Sequence, residues 1–204
     1  MKRYIKSDKE YEAGGETFDG YMGATGWKGK NYDVHMDIKD IAKIIRSQFR
    51  KKFPNYKISV KISRFSGGES LTAKVWMHLS DLMPKDQFVK QASETPWNYS
   101  HGYWFGYPDA NGRWQNIPAE NLYNMSMEEK IEIFDRYYDY YINHYTNDEY
   151  ADINYGAEPI PLLYDEPLKY VKGLIDSFNY DDSNSMVDYF DVNFYDHIYY
   201  AYAE

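Results

Sequence analysis

The sequence predicts an α+β fold: a small antiparallel sheet of hairpins packed with three or four helices. Three observations predict it. Ile38, Ile41, Ala42, Ile45 and Phe49 recur at helical spacing. Residues 57–64 and 69–77 then alternate with period two on either side of Ser66-Gly67-Gly68, which is a hairpin signal. Beyond them, two further helix starts follow an aromatic-rich segment with its own turn. No repeat or low-complexity linker interrupts the 204 residues, so a single α+β domain over 1–204 is expected. Within it, 34–77 forms a helix–hairpin unit and 137–204 an acidic, tyrosine-rich part.

The elements follow in chain order. Residues 1–31 are polar and glycine-rich and read as short strand or loop pieces. Asp37 is placed to cap the first helix, whose outer face carries Lys39, Lys43, Arg46 and Arg50. Pro54 ends it by disfavouring helical geometry at Phe53. In the first strand Ile58, Val60 and Ile62 share one face, against Lys57, Ser59, Lys61 and Ser63 on the other. Leu71, Ala73, Val75 and Met77 share a face of the second. Residues 85–90 suggest a short helix after Pro84. Residues 97–117 are dense in rings, and Pro108-Asp109-Ala110-Asn111-Gly112 turns them into a second hairpin. Ser126 with Glu129 forms a capping box for a long helix reaching about residue 147, with Met127, Ile131, Phe134, Tyr138, Tyr141 and Tyr145 as its apolar stripe. Residues 148–164 read as loop. Asp165-Glu166-Pro167 starts the last helix, which buries Leu168, Val171, Ile175 and Phe178. A polar break at 180–185 precedes an alternating, strand-like stretch over 186–202.

Composition excludes several classes of function. With no Cys there is no disulfide framework, thiol nucleophile, zinc–cysteine site or iron–sulfur cluster. No apolar run is long enough to span a membrane, and the first residues lack the apolar stretch of a secretory signal. A soluble, cytoplasmic protein with no membrane partner is expected. The net charge of −9 is unevenly laid out. Residues 1–136 balance at +3, whereas 137–204 carry −12 together with 15 of the 24 tyrosines. That many rings argue against a disordered acidic tail.

Two stretches carry a family resemblance. One is Ile41-Ala42-Lys43-Ile44-Ile45-Arg46 with Phe53-Pro54-Asn55-Tyr56-Lys57-Ile58-Ser59-Val60 and Ser66-Gly67-Gly68. The other is Met186-Val187-Asp188-Tyr189-Phe190-Asp191-Val192-Asn193-Phe194-Tyr195. Together they resemble the large polyvalent protein associated domain 29 family, over about a third of the chain. The chain departs from that pattern after Trp76, where Met77-His78-Leu79-Ser80-Asp81 replaces an Asp-Gly-Pro ending. The resemblance implies an origin in phages or other mobile elements, life inside a bacterial host cell, and protection of incoming DNA from host defence. The family offers no agreed catalytic residues, so none is carried over.

Three functional readings remain in view. The leading one is a non-enzymatic anti-defence protein that inhibits a host nuclease, such as a CRISPR effector or restriction enzyme, or the nucleic-acid complex of one. Its contact surface would be acidic and aromatic: Asp176, Asp181, Asp182, Asp188, Asp191 and Asp196, with Asp148, Glu149 and Asp152 as a second set. Such acids imitate phosphates, although a solvated acidic face has the same composition. The alternative is a nucleic-acid-binding accessory module using Lys39, Lys43, Arg46, Arg50, Lys57 and Lys61, in a span of nine cations where Asp40 is the one acid. The third is a metal-dependent enzyme built on acid pairs such as Asp181-Asp182 or Asp188 with Asp191. No phosphate loop, nucleophile elbow or paired metal-histidine spacing is present, and His35, His78, His101, His144 and His197 are far apart in sequence. No catalytic residue, metal ligand or cofactor is therefore assigned. A homodimer is a further candidate assembly, with Tyr199-Tyr200-Ala201-Tyr202 as an edge or self-association seam.

Overall fold

The computed structural model describes residues 10–94, 104–144, 151–152, 161–184 and 191–203. Helices and small sheets mix in the α+β manner that the sequence predicts. The chain divides into two compact units. The first comprises residues 1–77 and 166–200; the second comprises 78–165 and 201–204.

In the first unit the glycine-rich start forms β1 (Gly15–Asp19) and β2 (Thr25–Gly29), an antiparallel pair. Helix α1 (Ile38–Lys52) follows its cap as expected: Asp37 Oδ1 accepts the Lys39 backbone N–H at 2.8 Å. Arg50, Lys51 and Lys52 occupy the last turn, where cations oppose the negative end of the helix dipole. Ile38, Ile41, Ala42, Ile45 and Phe49 are all buried. Strands β3 (Lys57–Phe65) and β4 (Gly68–His78) pair antiparallel, with Phe65 opposite Gly68 across a Ser66-Gly67 turn. Gly68 sits at φ 146°, a conformation that L side chains rarely adopt. Ile58, Val60, Leu71, Ala73, Val75 and Met77 are buried on one face. Lys57, Ser59, Lys61 and Ser63 lie on the other, with Phe65 continuing the same parity.

Helix α5 (Glu166–Asp176) buries Leu168, Val171, Leu174 and Ile175, and Phe178 follows them into the core. The polar break expected at 180–185 contains a two-residue strand, β8 (Tyr180–Asp181), which pairs with Trp27 and Lys28 of β2. Hydrophobic alternation is blind to so short a strand; backbone pairing fixes it. Strand β9 is shorter than the stretch that alternates in sequence. It covers Tyr195–Ala203 and neighbours β4 in the sheet. Val192 makes only an isolated bridge to Asp181. The stretch 185–190 lies outside the described residues.

In the second unit α2 (Lys85–Glu94) appears where expected, as does the hairpin of β5 (Trp104–Pro108) and β6 (Trp114–Pro118). A short α3 (Ala119–Asn124) follows Pro118 directly; the sequence reading did not foresee it. Helix α4 (Met127–His144) opens on the expected capping box. Ser126 Oγ accepts the Glu129 N–H at 3.2 Å, and Glu129 Oε2 accepts the Ser126 N–H at 2.8 Å. Its buried face is Ile133, Phe134, Tyr137, Tyr138 and Tyr141. The predicted stripe is thus right for Phe134, Tyr138 and Tyr141 and wrong at its start, since Met127 and Ile131 are exposed. The rings interlock: Phe88 meets Tyr138 at 5.4 Å, and Phe105 meets Phe134 at 5.7 Å and Tyr137 at 5.6 Å. Tyr138 donates its hydroxyl to Met83 O at 2.6 Å, which satisfies a buried phenol. The described part of the loop over 148–164 contains a two-residue strand, β7 (Ala151–Asp152). No helix among the described residues is long and apolar enough to cross a membrane.

Candidate functional site

The C-terminal acids of the first unit are held by a clasp of two asparagines. Asn179 Nδ2 donates to Phe194 O at 3.0 Å, while its Oδ1 accepts the N–H groups of Tyr180 at 3.0 Å and Phe194 at 3.3 Å. Reciprocally, the Asn193 N–H donates to Tyr180 O at 2.8 Å, and its side chain donates to Phe178 O at 3.2 Å. The end of α5, strand β8 and the entry to β9 are thereby locked side by side. Asp176, Asp181, Asp182, Asp191 and Asp196 all sit on these segments. Asp188, Asp148 and Glu149 lie outside the described residues, and Asp152 belongs to β7 in the second unit.

The five gathered acids do not act alike. Asp182 Oδ1 accepts the Tyr21 N–H at 2.7 Å, and Asp181 Oδ1 accepts the Ser183 N–H at 2.9 Å, so both shape the local turn. Asp182 and Asp191 are further tied by a backbone bond of 2.8 Å. Lys172 stands between two carboxylates: Asp176, with which it makes a hydrogen-bonded ion pair, and Asp196, at 3.6 Å. Burial pushes the Asp176 carboxyl above the usual carboxylate range, against the opposing pull of Lys172. Asp191 is exposed; burial, joined by the charges of Asp191 and Asp33, raises the Tyr32 phenol above its ordinary value.

Asp181 and Asp196 line one cleft of about 610 Å³, with Asn179, Ser183, Ser70 and His197. Beside them stand the rings of Phe65 and Tyr195, with centroids 5.9 Å apart. These rings are 50% and 39% exposed, an apolar pair left in water at the edge of carboxylates. The sequence reading missed Phe65, Tyr195 and the asparagine clasp. One signal was available for Phe65: it breaks the polar run Lys57, Ser59, Lys61, Ser63 at the same strand parity. Nothing in the spacing of Asn179 and Asn193 announces a clasp.

The basic set is spread over α1 and β3. Lys43 pairs with Asp40 at 3.1 Å, and Arg46 Nη1 donates to Val60 O at 2.7 Å, so both are engaged internally. Lys57 lies over the Trp76 ring, 4.3 Å from its centroid. Lys39, Arg50 and Lys61 are exposed and make no ion pair with other described residues. No three His, Asp or Glu side chains among the described residues are arranged to hold a metal ion. Comparison with family models, curated proteins and solved structures finds no match to this chain.

Proposed function

We propose that this protein is a non-enzymatic binding protein of a phage or mobile element, and that it inhibits a host nuclease by engaging a basic surface of that enzyme or of its nucleic-acid complex. The observation that carries the reading is the cleft in which the exposed Phe65–Tyr195 pair adjoins Asp181 and Asp196. An arginine suits this arrangement: its planar guanidinium stacks on rings and forks onto carboxylates. Rings at such a centre supply contact area with little entropy cost, and the surrounding acids steer a cationic partner. The mobile-element setting and the nuclease target come from the family resemblance and belong to the proposal. The test is inhibition of the captured nuclease by wild type and by an Asp181→Asn/Asp196→Asn variant, which removes both charges while keeping the acceptor that shapes the turn. A loss of affinity of about tenfold or more is expected for desolvated charge pairs. Unchanged inhibition refutes the reading.

A second reading is favoured by one observation, the exposed Lys39, Arg50 and Lys61, which make no ion pair with other described residues. If these cations hold about three phosphates of duplex DNA, the binding constant should fall with a log–log salt slope of about −3. No retardation of DNA at low salt removes this reading.

A further inference from the structure

The sheet of β3, β4 and β9 has two unlike faces. One is the core face, where Ile58, Val60, Leu71, Val75 and Ile198 are buried. The other meets water at Lys57, Lys61, Ser63 and Phe65 of β3. The register places β4 side chains beside these: Ser70 lies opposite Ser63, Thr72 opposite Lys61 and Trp76 opposite Lys57. On β9 the period of two puts Tyr195, His197 and Tyr199 on this same face. Tyr195 meets Phe65 at 5.9 Å, whereas the alternate residues Ile198 and Tyr200 are buried. The His197 and Tyr199 rings are near-parallel, 11° apart with centroids at 6.2 Å, and His197 is exposed. Lys57 is held over the Trp76 ring at 4.3 Å, so its ammonium is positioned before a ligand arrives. The two acids of these strands, Glu69 and Asp196, have the opposite parity and pair with Arg64 and Lys172. What β3, β4 and β9 present to water on this face is therefore rings, hydroxyls and lysines, with no carboxylate.

That composition selects a ligand. Lysines with no acid beside them on the face attract phosphates. Rings offer flat surfaces on which bases stack, and stacking needs unpaired bases, because a duplex keeps its base faces inside its own stack. Strand residues two apart are separated by about 6.8 Å, twice the rise of about 3.4 Å per nucleotide along a stacked strand, which leaves each ring its own base. The hydroxyls of Ser59, Ser63, Ser70 and Thr72 both donate and accept, as a ribose 2′-hydroxyl does; a deoxyribose has no such partner to offer. We infer that this sheet face binds single-stranded RNA, with His197 and Tyr199 stacking bases and Lys57 and Lys61 holding phosphates. The Phe65–Tyr195 pair closes the face at the end where the acidic cleft begins. The inference needs neither the carboxylates of that cleft nor Lys39 and Arg50 of α1.

The experiment follows the fluorescence anisotropy of labelled oligonucleotides of about 12 nucleotides against the whole protein at about 50 mM salt. The probes are oligo(U), oligo(dT) and an RNA duplex of the same length. Saturable binding of oligo(U) is expected, tighter than that of the other two, with a log–log salt slope of about −1.4 for two phosphates of a single strand. Tyr199→Ala and His197→Ala should each weaken oligo(U) by about five- to 150-fold, the effect of one stacked base. Tyr199→Phe keeps the ring and should keep the affinity. Lys61→Ala, at an exposed position, should bring the slope to about −0.7. Asp181→Asn/Asp196→Asn, which disables the acidic cleft, should retain oligo(U) binding. Absence of saturable oligo(U) binding in the wild type overturns the site. Oligo(dT) bound as tightly as oligo(U) overturns the assignment to RNA. Binding that survives Tyr199→Ala and His197→Ala but is lost in Lys39→Glu/Arg50→Glu places the ligand on α1 and overturns the site as well.

Discussion

Replacing Asn179 by alanine is expected to open the clasp that positions the candidate cleft. The side chain is buried and makes three hydrogen bonds to backbone groups. Its loss leaves the Phe194 N–H and C=O without their Asn179 partner in a buried position. Each unsatisfied buried group costs about 1–3 kcal/mol, so a local destabilisation of about 2–4 kcal/mol is expected. Native-state hydrogen exchange reads this directly at the Asn193 amide, which donates to Tyr180 O inside the clasp. Its protection should fall by about 30- to 900-fold. Asn179→Asp sharpens the argument. A protonated carboxyl can still donate to Phe194 O, whereas an ionised one meets that carbonyl as a like partial charge. The destabilisation should therefore grow as pH rises through the carboxyl pKa. An Asn193 amide whose exchange changes less than threefold in Asn179→Ala would refute the claim that this residue holds the segments together.

Three further outcomes follow from the packing. Gly29→Ala should destabilise the first unit by about 2–3 kcal/mol, measured by denaturant unfolding, because a Cβ there would lie 2.3 Å from the Ser177 carbonyl oxygen and 2.5 Å from that of Asp176. Asp176→Asn should be neutral below pH 4 and stabilising at neutral pH: the folded carboxyl is raised above its ordinary value of 3.8, so the unfolded chain ionises first and wild-type stability falls as pH rises through that window. Paired melting curves across pH 3–8 check the sign. Ser93→Ala should stabilise the second unit by about 1 kcal/mol, because it removes a buried hydroxyl with no hydrogen-bond partner among the described residues; a lower melting temperature in the variant would show that the hydroxyl is satisfied.

Much of the fold was legible because its signals are local. The Asp37 cap, the Ser126–Glu129 box and the alternation of β3 and β4 each lie within a few residues of the structure they dictate. The sequence misled where the partner is distant. Met127 and Ile131 have helical spacing, but spacing cannot say which side of α4 meets Phe88 and Phe105. Strand β8 is two residues long and owes its existence to β2, some 150 positions away. Acid count likewise overstated the free negative surface, since hydrogen bonds to Tyr21 and Ser183 and the ion pairs of Lys172 already engage Asp182, Asp181, Asp176 and Asp196. What composition could not show is the juxtaposition of Phe65 with Tyr195, which joins residues 130 apart in the chain.

The central claim is that the acidic, ring-edged cleft of the first unit grips a basic partner. Its most direct measurement is a quantitative pull-down from bacterial host lysate with three baits: the wild type, a Phe65→Ala/Tyr195→Ala/Asp181→Asn/Asp196→Asn variant, and a Lys39→Glu/Arg50→Glu variant. A nuclease enriched on the wild type and on the α1 variant, and depleted about tenfold on the cleft variant, is the predicted result. Equal recovery of that nuclease on the wild-type and cleft-variant baits would contradict it.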